Sequence, residues 1–188
     1  MGFLDNIKPS PSGGSGGSYM KVIQGENKFR IVGSSDDNPP GFIQGMLGWT
    51  SDEEGKRKPH RWQIDGDAPK LTFTDKPKEF FTFIVWNYAE EALQIMELTQ
   101  AGLKEKIIEL AKDEDWGDPR KYDIAIIRNG EGIETSYVLT PKPHKKRSDE
   151  INEAVASMKV NLNALYEGGA PFEEQEKEGG DEPSKDPF

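Results

Sequence analysis

FFTFIVWNYAEEALQIMELTQAGLKEKIIELAKDEDWGDPRKYDIAIIRNGEGIETSYVLTP, residues 80–141, decides the fold. Its first segment, Phe80 to Asn87, is almost entirely aromatic or β-branched, the composition of a strand. After the turn-like YAEE, Ala92 to Thr99 suits either helix or strand, and we read it as the hairpin partner of the first segment. Thr99 is placed to cap a helix running to about Lys112, with Leu103, Ile107, Leu110 and Ala111 at the spacing of one buried face. Trp116, Gly117, Asp118 and Pro119 end it. Tyr122 to Asn129 and Ile133 to Pro141 then flank NGEG, a hairpin turn whose Gly130 and Gly132 tolerate positive φ.

Upstream, KFRIVG (Lys28 to Gly33) alternates like a half-buried strand, and FIQGMLGW (Phe42 to Trp49) is a weaker candidate broken by Gly45 and Gly48. Residues 50–78 are polar, basic and Pro-interrupted, which predicts a long binding loop with at most a short strand at His60 to Ile64. Downstream, Ser148 can cap a helix in which Ile151, Val155, Met158, Leu162 and Leu165 form a stripe, stopped by Gly168 and Gly169. The expected fold is therefore mainly β: a five-stranded OB-fold barrel with one helix between strands three and four, a C-terminal helix and disordered ends. Other small barrels share much of this order.

Both ends differ from the body. Residues 9–18, PSPSGGSGGS, form a Pro-led Gly/Ser linker that separates Phe3, Leu4 and Ile7 from a domain expected over residues 19–166. Those three apolar residues read as a frayed terminus, with self-association through one helical turn as the alternative. Residues 167–188 hold eight Asp or Glu against two Lys and too little apolar surface to offset the entropy of ordering. That tail ends in Asp186, Pro187 and Phe188. A merely solubilising tail has no need of a terminal aromatic, so these three residues are the candidate partner-binding tip.

The chain carries a net charge of −10, which argues against a nucleic-acid partner until its distribution is considered. Without the tail the charge is −4, and the cations cluster. Lys56, Arg57, Lys58, His60 and Arg61 form one group, followed by Lys70, Lys76 and Lys78; Lys142, His144, Lys145, Lys146 and Arg147 form another. Single-stranded nucleic acid asks for cations on its phosphates and aromatic faces for its bases. Trp62 lies inside the first group and Trp49 leads into it. Trp86 and Tyr88 share a side of the strongest strand with Phe80, while Phe81, Phe83 and Val85 are assigned to the core. Tyr122 and Tyr137 on the last hairpin are further candidates.

Catalytic signatures are sparse. The chain has no Cys, two His, and no phosphate-loop, dinucleotide or H-E-x-x-H motif, so neither a zinc site nor a cofactor is expected. The match of Gly13, Ser15 and Gly17 to G-x-S-x-G falls inside the linker and is no nucleophile elbow. Asp65 and Asp67, or Asp113, Glu114 and Asp115, could hold a divalent metal for nuclease chemistry, but solvated loop carboxylates explain both better. No apolar run spans a bilayer and the start MGFLDNIK is no signal peptide, so a cytoplasmic protein without membrane contact is expected.

ENKFRIVG near the start, the block from KPKEFFTFIVWN through the exit MELTQ, WGDP and the Gly-containing hairpin, and the acidic end DPF together carry a resemblance. The chain resembles phage single-stranded DNA-binding proteins of the OB-fold type and is loosely akin to the gene 32 protein of T-even phages. The resemblance implies a non-catalytic role in DNA replication, recombination and repair: coating transient single strands and recruiting replication and recombination proteins through the tail. It implies the host cytoplasm as location. The T-even protein holds zinc through His and Cys, which this chain cannot do. An OB-type protein adaptor, a double-strand or RNA binder of the same fold, and a small metal-dependent nuclease are the competing readings.

Overall fold

Strand β4 (Lys78–Asn87) is buried along nearly all its length because both of its faces are covered. The computed structural model of the protein describes residues 18–172. Within them the elements run β1 (Gly25–Ile31), β2 (Phe42–Ser51), β3 (Arg57–Gln63), β4, β5 (Ala92–Leu98), α1 (Ala101–Lys112), β6 (Tyr122–Asn129), β7 (Ser136–His144) and α2 (Asp149–Ser157), with short 3-10 turns at Pro119–Lys121, Gly132–Glu134 and Leu162–Glu167. The strands form one seven-stranded antiparallel sheet in the order β3-β2-β4-β1-β6-β7, with β5 on β4 off this path.

The first half of β4 pairs with β2 (Phe42↔Phe83 to Leu47↔Lys78) and its end pairs with β1 (Ile31↔Val85 to Phe29↔Asn87). β5 takes the remaining edge of β4 as the expected hairpin. No ladder joins β3 to β7 among the described residues, so this is an open sheet and not the expected closed five-stranded barrel. One strand comes from the stretch read as a loop, longer than the short one allowed at His60 to Ile64: residues 57–63 pair with 45–51 in an unbroken hairpin, and beyond it Thr72 donates its N–H to the Trp49 carbonyl.

Strand parity divides β4 as its sequence suggests. Phe81, Phe83 and Val85 join Phe29, Ile31, Ile124, Ile126 and the α1 residues Leu103, Ile107 and Leu110 in one core. Phe80, Ile84 and Trp86 face a second core, closed by Ile151, Val160, Leu162 and Leu165. Each fully buried side chain of this size contributes roughly 1.5 to 3 kcal/mol. Four expectations fail in detail. Gln100, not Thr99, precedes α1, without a side-chain cap. Ala111 is exposed, because the buried stripe of α1 stops at Leu110. The helix capped by Ser148 ends at Ser157, and the chain reaches Leu162 and Leu165 as a bridge and a 3-10 turn, ended by Gly168 in the left-handed region. Finally, residues 168–172, assigned to the tail, return to the fold: Asn161 donates to the Pro171 carbonyl and Val160 bridges Phe172.

The β1 to β2 connection requires glycine twice. A Cβ added to Gly41 would lie 2.4 Å from the Gly33 Cα, and one added to Gly33 would lie 2.5 Å from the Gly41 Cα. The two backbones cross where no side chain fits, and the loop between them is tied by donation from Gly41 N–H and Asp37 N–H to the Ser34 carbonyl. Gly41→Ala should therefore cost about 1 to 3 kcal/mol, the usual range for overpacking. The urea midpoint should fall with the slope unchanged; an unshifted midpoint would show that the crossing opens freely.

Candidate nucleic-acid interface

Arg30 is a charge in the buried end of β1, and its partners build the site. Only 1% exposed, it donates from Nε to Asp123 Oδ1 (2.6 Å), from Nη1 to the Arg120 carbonyl (3.1 Å) and from Nη2 to the Lys145 carbonyl (2.8 Å). Tyr88 donates its hydroxyl to the same Asp123 oxygen (2.7 Å), and Lys28 lies 3.7 Å from the other. Burial alone would raise the Asp123 pKa, but the hydrogen bonds from Tyr88 and Arg30 and the nearby positive charges outweigh it and hold the carboxyl below its ordinary value. Tyr88 is pushed up to about 12, by burial first and then by the Asp123 carboxylate.

One buried guanidinium thus ties the turn Pro119–Lys121 to the end of β7. Lys145 N–H adds a bond to the Lys121 carbonyl (3.1 Å). His144 stacks on Tyr122 at 5.3 Å and 5°, Trp116 meets both rings edge-on, and a His144 Nε2 contact of 2.8 Å links the imidazole to the Trp116 carbonyl. These contacts frame a cleft of about 640 Å3 lined by Arg30, Arg120, Lys121, His144, Lys145, Lys146 and Arg147, with Asp149 and Asn152 of α2. Arg30 and Arg120 are neutralised by Asp123 and Asp118. Lys121, Lys145, Lys146 and Arg147 make no salt bridge with a described residue, which leaves the cleft strongly positive. Lys142 lies outside the cleft and pairs with Glu26 at 3.7 Å.

The first basic group is arranged differently. Residues 50–78 carry seven Lys or Arg but also six Asp or Glu, and the acids are used. Lys56 pairs with Glu54, Arg57 with Asp75, and Arg61 with Glu97 through two bonds of 2.8 and 3.1 Å. Lys58, Lys76 and Lys78 are exposed. Trp49 is half-buried beneath the Arg57 guanidinium, 4.4 Å from its ring centroid. Trp62 is also half-buried, opposite Met46. Because Trp49 opposes Pro59 in the same unbroken ladder, the two indoles lie on opposite faces of the hairpin.

Two candidate stacking rings are corrected. Trp86 is 5% exposed, because the C-terminal segment covers the face of β4 that parity left open. Tyr122 is 0% exposed beneath His144 and Trp116, with burial, then Asp118 and Asp113, pushing its pKa up to about 12. Neither ring can stack on a base. Tyr88 is half-buried with its hydroxyl engaged, and Tyr137 is half-buried against the α1 core. Asp186, Pro187, Phe188 and the arm residues Phe3, Leu4 and Ile7 lie outside the described residues.

The two basic groups occupy opposite ends of the strand order, on β3 and after β7. One strip links them. On β2 the alternate residues Phe42, Gln44 and Met46 are half-buried while Ile43, Gly45 and Leu47 are sealed, and Met46 opposes Trp62. At a rise of about 3.4 Å per residue the strip spans roughly 14 Å from Phe42 to Met46. Sequence reasoning missed Arg30, Arg120 and Lys121; an Arg inside the alternating run KFRIVG was the available signal.

Asp113 accepts from the N–H groups of Asp115 and Trp116, and Asp118 is chelated by Arg120; among the described residues no cluster of His, Asp and Glu has the makings of a metal site. Nor is any helix there long and apolar enough to cross a membrane. No protein-family model matches the chain, and a search of curated proteins finds no relative.

Proposed function

We propose that the protein binds single-stranded DNA, coats transient single strands during phage DNA replication, recombination and repair in the host cytoplasm, and recruits partners through Asp186, Pro187 and Phe188. The observation that carries the reading is the cleft: four cations without a salt bridge to a described residue gather there on a chain whose net charge is −10. A surface that concentrates positive charge against the average of the molecule fits a polyanion. Preference for unpaired strands is supported by half-exposed rings beside cations, Trp62 above all, because stacking needs a free base face. On this reading the sheet is an elaborated OB-type structure, supported by a helix that separates the first strands from a final hairpin.

The test is a titration of the full chain with single-stranded DNA, duplex DNA and RNA at two salt concentrations. Single strands should bind tightest, with log affinity falling against log salt at about −0.7 per phosphate contacted, and tryptophan fluorescence should be quenched. Equal affinity for duplex would remove the stacking part of the reading. Lack of binding to all three at low salt would leave the adaptor reading in its place.

A further inference from the structure

A second cleft, of about 430 Å3, adjoins the cationic one, and Arg120 lines both. Its lining is mostly carbon. Phe42, Phe81 and Phe83 come from the sheet, and Ile107, Ile108 and Ala111 from the last turns of α1. Phe42 stacks on Phe83 at 4.7 Å and meets Phe81 edge-on at 5.4 Å, so the aromatic wall is rigidly packed. Gln44 also lines the cleft, its amide fixed by donation from Nε2 to Glu79 (3.0 Å). At the boundary the Arg120 guanidinium is held by bonds of 2.7 to 3.1 Å to the Asp118 carboxylate.

An apolar slot in the size range of small-molecule sites, with a fixed amide in its wall and a strongly cationic cleft next door, matches a ligand with a flat, carbon-rich part attached to a phosphate. We propose that the slot takes one nucleobase of the bound strand, turned out of line between Phe42 and the end of α1, while the adjoining phosphates lie on Lys121, Lys145 and Lys146. The fixed Gln44 amide meets the base edge. This rests on the single-strand reading and adds to it a defined base site, distinct from surface stacking on Trp62.

Ala111 and Ile108 line the slot yet are exposed, so a large side chain there fills the slot without entering the core. The experiment compares the full chain with Ala111→Trp and Ile108→Trp, using an oligothymidylate and an abasic oligonucleotide with the same number of phosphates. The wild-type chain should prefer the oligothymidylate. Both variants should reduce that preference by about tenfold, within the worth of one stacked base, and leave abasic affinity within about twofold. Unchanged preference in both variants overturns the base site, as does an equal loss for both oligonucleotides, which would mean that the filled slot acts only by distorting the cationic cleft. Absence of wild-type binding to either oligonucleotide at low salt defeats the single-strand reading itself.

Discussion

Replacing Lys145, Lys146 and Arg147 together by Gln is expected to weaken binding to a single-stranded oligonucleotide about a hundredfold at roughly 0.1 M salt. Each phosphate neutralised on a single strand releases about 0.7 of a counterion, which at that salt is worth about fivefold, and three lost contacts compound. The slope of log affinity against log salt should become shallower by about 2 for the same reason. Folding should be little affected, since none of the three side chains makes a salt bridge with a described residue. The control is the equivalent change of Lys56, Arg57 and Lys58. Lys56 and Arg57 already face Glu54 and Asp75, and such exposed pairs cost little to break, so that hairpin can still contribute. Its near-zero local charge nevertheless predicts an effect several times smaller. If the two triple variants lose affinity equally, or the hairpin variant loses more, the cleft is not the main phosphate site.

The contrast between those groups shows what the sequence could reveal. A basic run is visible as soon as it is written down; whether its charges are free depends on which acids the fold brings near. Glu97 reaches Arg61 across 36 residues of sequence, and Glu26 reaches Lys142 across more than 100, so neither pairing had a local signal. Strand existence was legible where both faces are apolar, as in β4, and the hairpin of β4 with β5 followed from adjacency. β3 was only partly legible: the short strand allowed at His60 to Ile64 overlaps its second half, but RKPHRWQ has the composition of a loop and is held as a strand by its ladder to β2. Parity sorted Phe80, Trp86 and Tyr88 onto one face correctly but could not say that a later segment would cover it. The site was half legible for the same reason: residues 142–147 announce themselves, whereas Arg30, Arg120 and Lys121 join them only through tertiary hydrogen bonds.

Arg30→Met should be the most destabilising single change, costing about 3 to 5 kcal/mol in a urea unfolding experiment, the range for breaking a buried ion pair by removing one partner. Asp123 is 3% exposed and would keep only the Tyr88 hydroxyl and the distant Lys28, while the Arg120 and Lys145 carbonyls would lose their donor. Replacing both charges, Arg30→Met with Asp123→Leu, should recover most of that loss, because the cost lies in the orphaned carboxylate more than in the missing attraction. The double variant should nonetheless bind DNA more weakly than wild type, since the turn then keeps only the Lys145 N–H bond to the Lys121 carbonyl and loses the guanidinium that joined the Arg120 and Lys145 carbonyls. The pH dependence separates the two roles. In the wild-type protein Asp123 is held below its ordinary value, so the unfolded chain binds more protons in the acid range; the stabilisation is fully present above about pH 4 and is lost as pH falls through the folded value. Without Arg30 the effect of burial is opposed only by the Tyr88 hydrogen bond and the Lys28 charge, and the folded pKa moves upward. The steep acid loss should then flatten, and if the folded value passes the unfolded one, stability should instead decline as pH rises through it. A single variant that retains the wild-type acid slope would show that Arg30 does not set the charge state of Asp123, and the case for a buried pair organising the cationic cleft would fall with it.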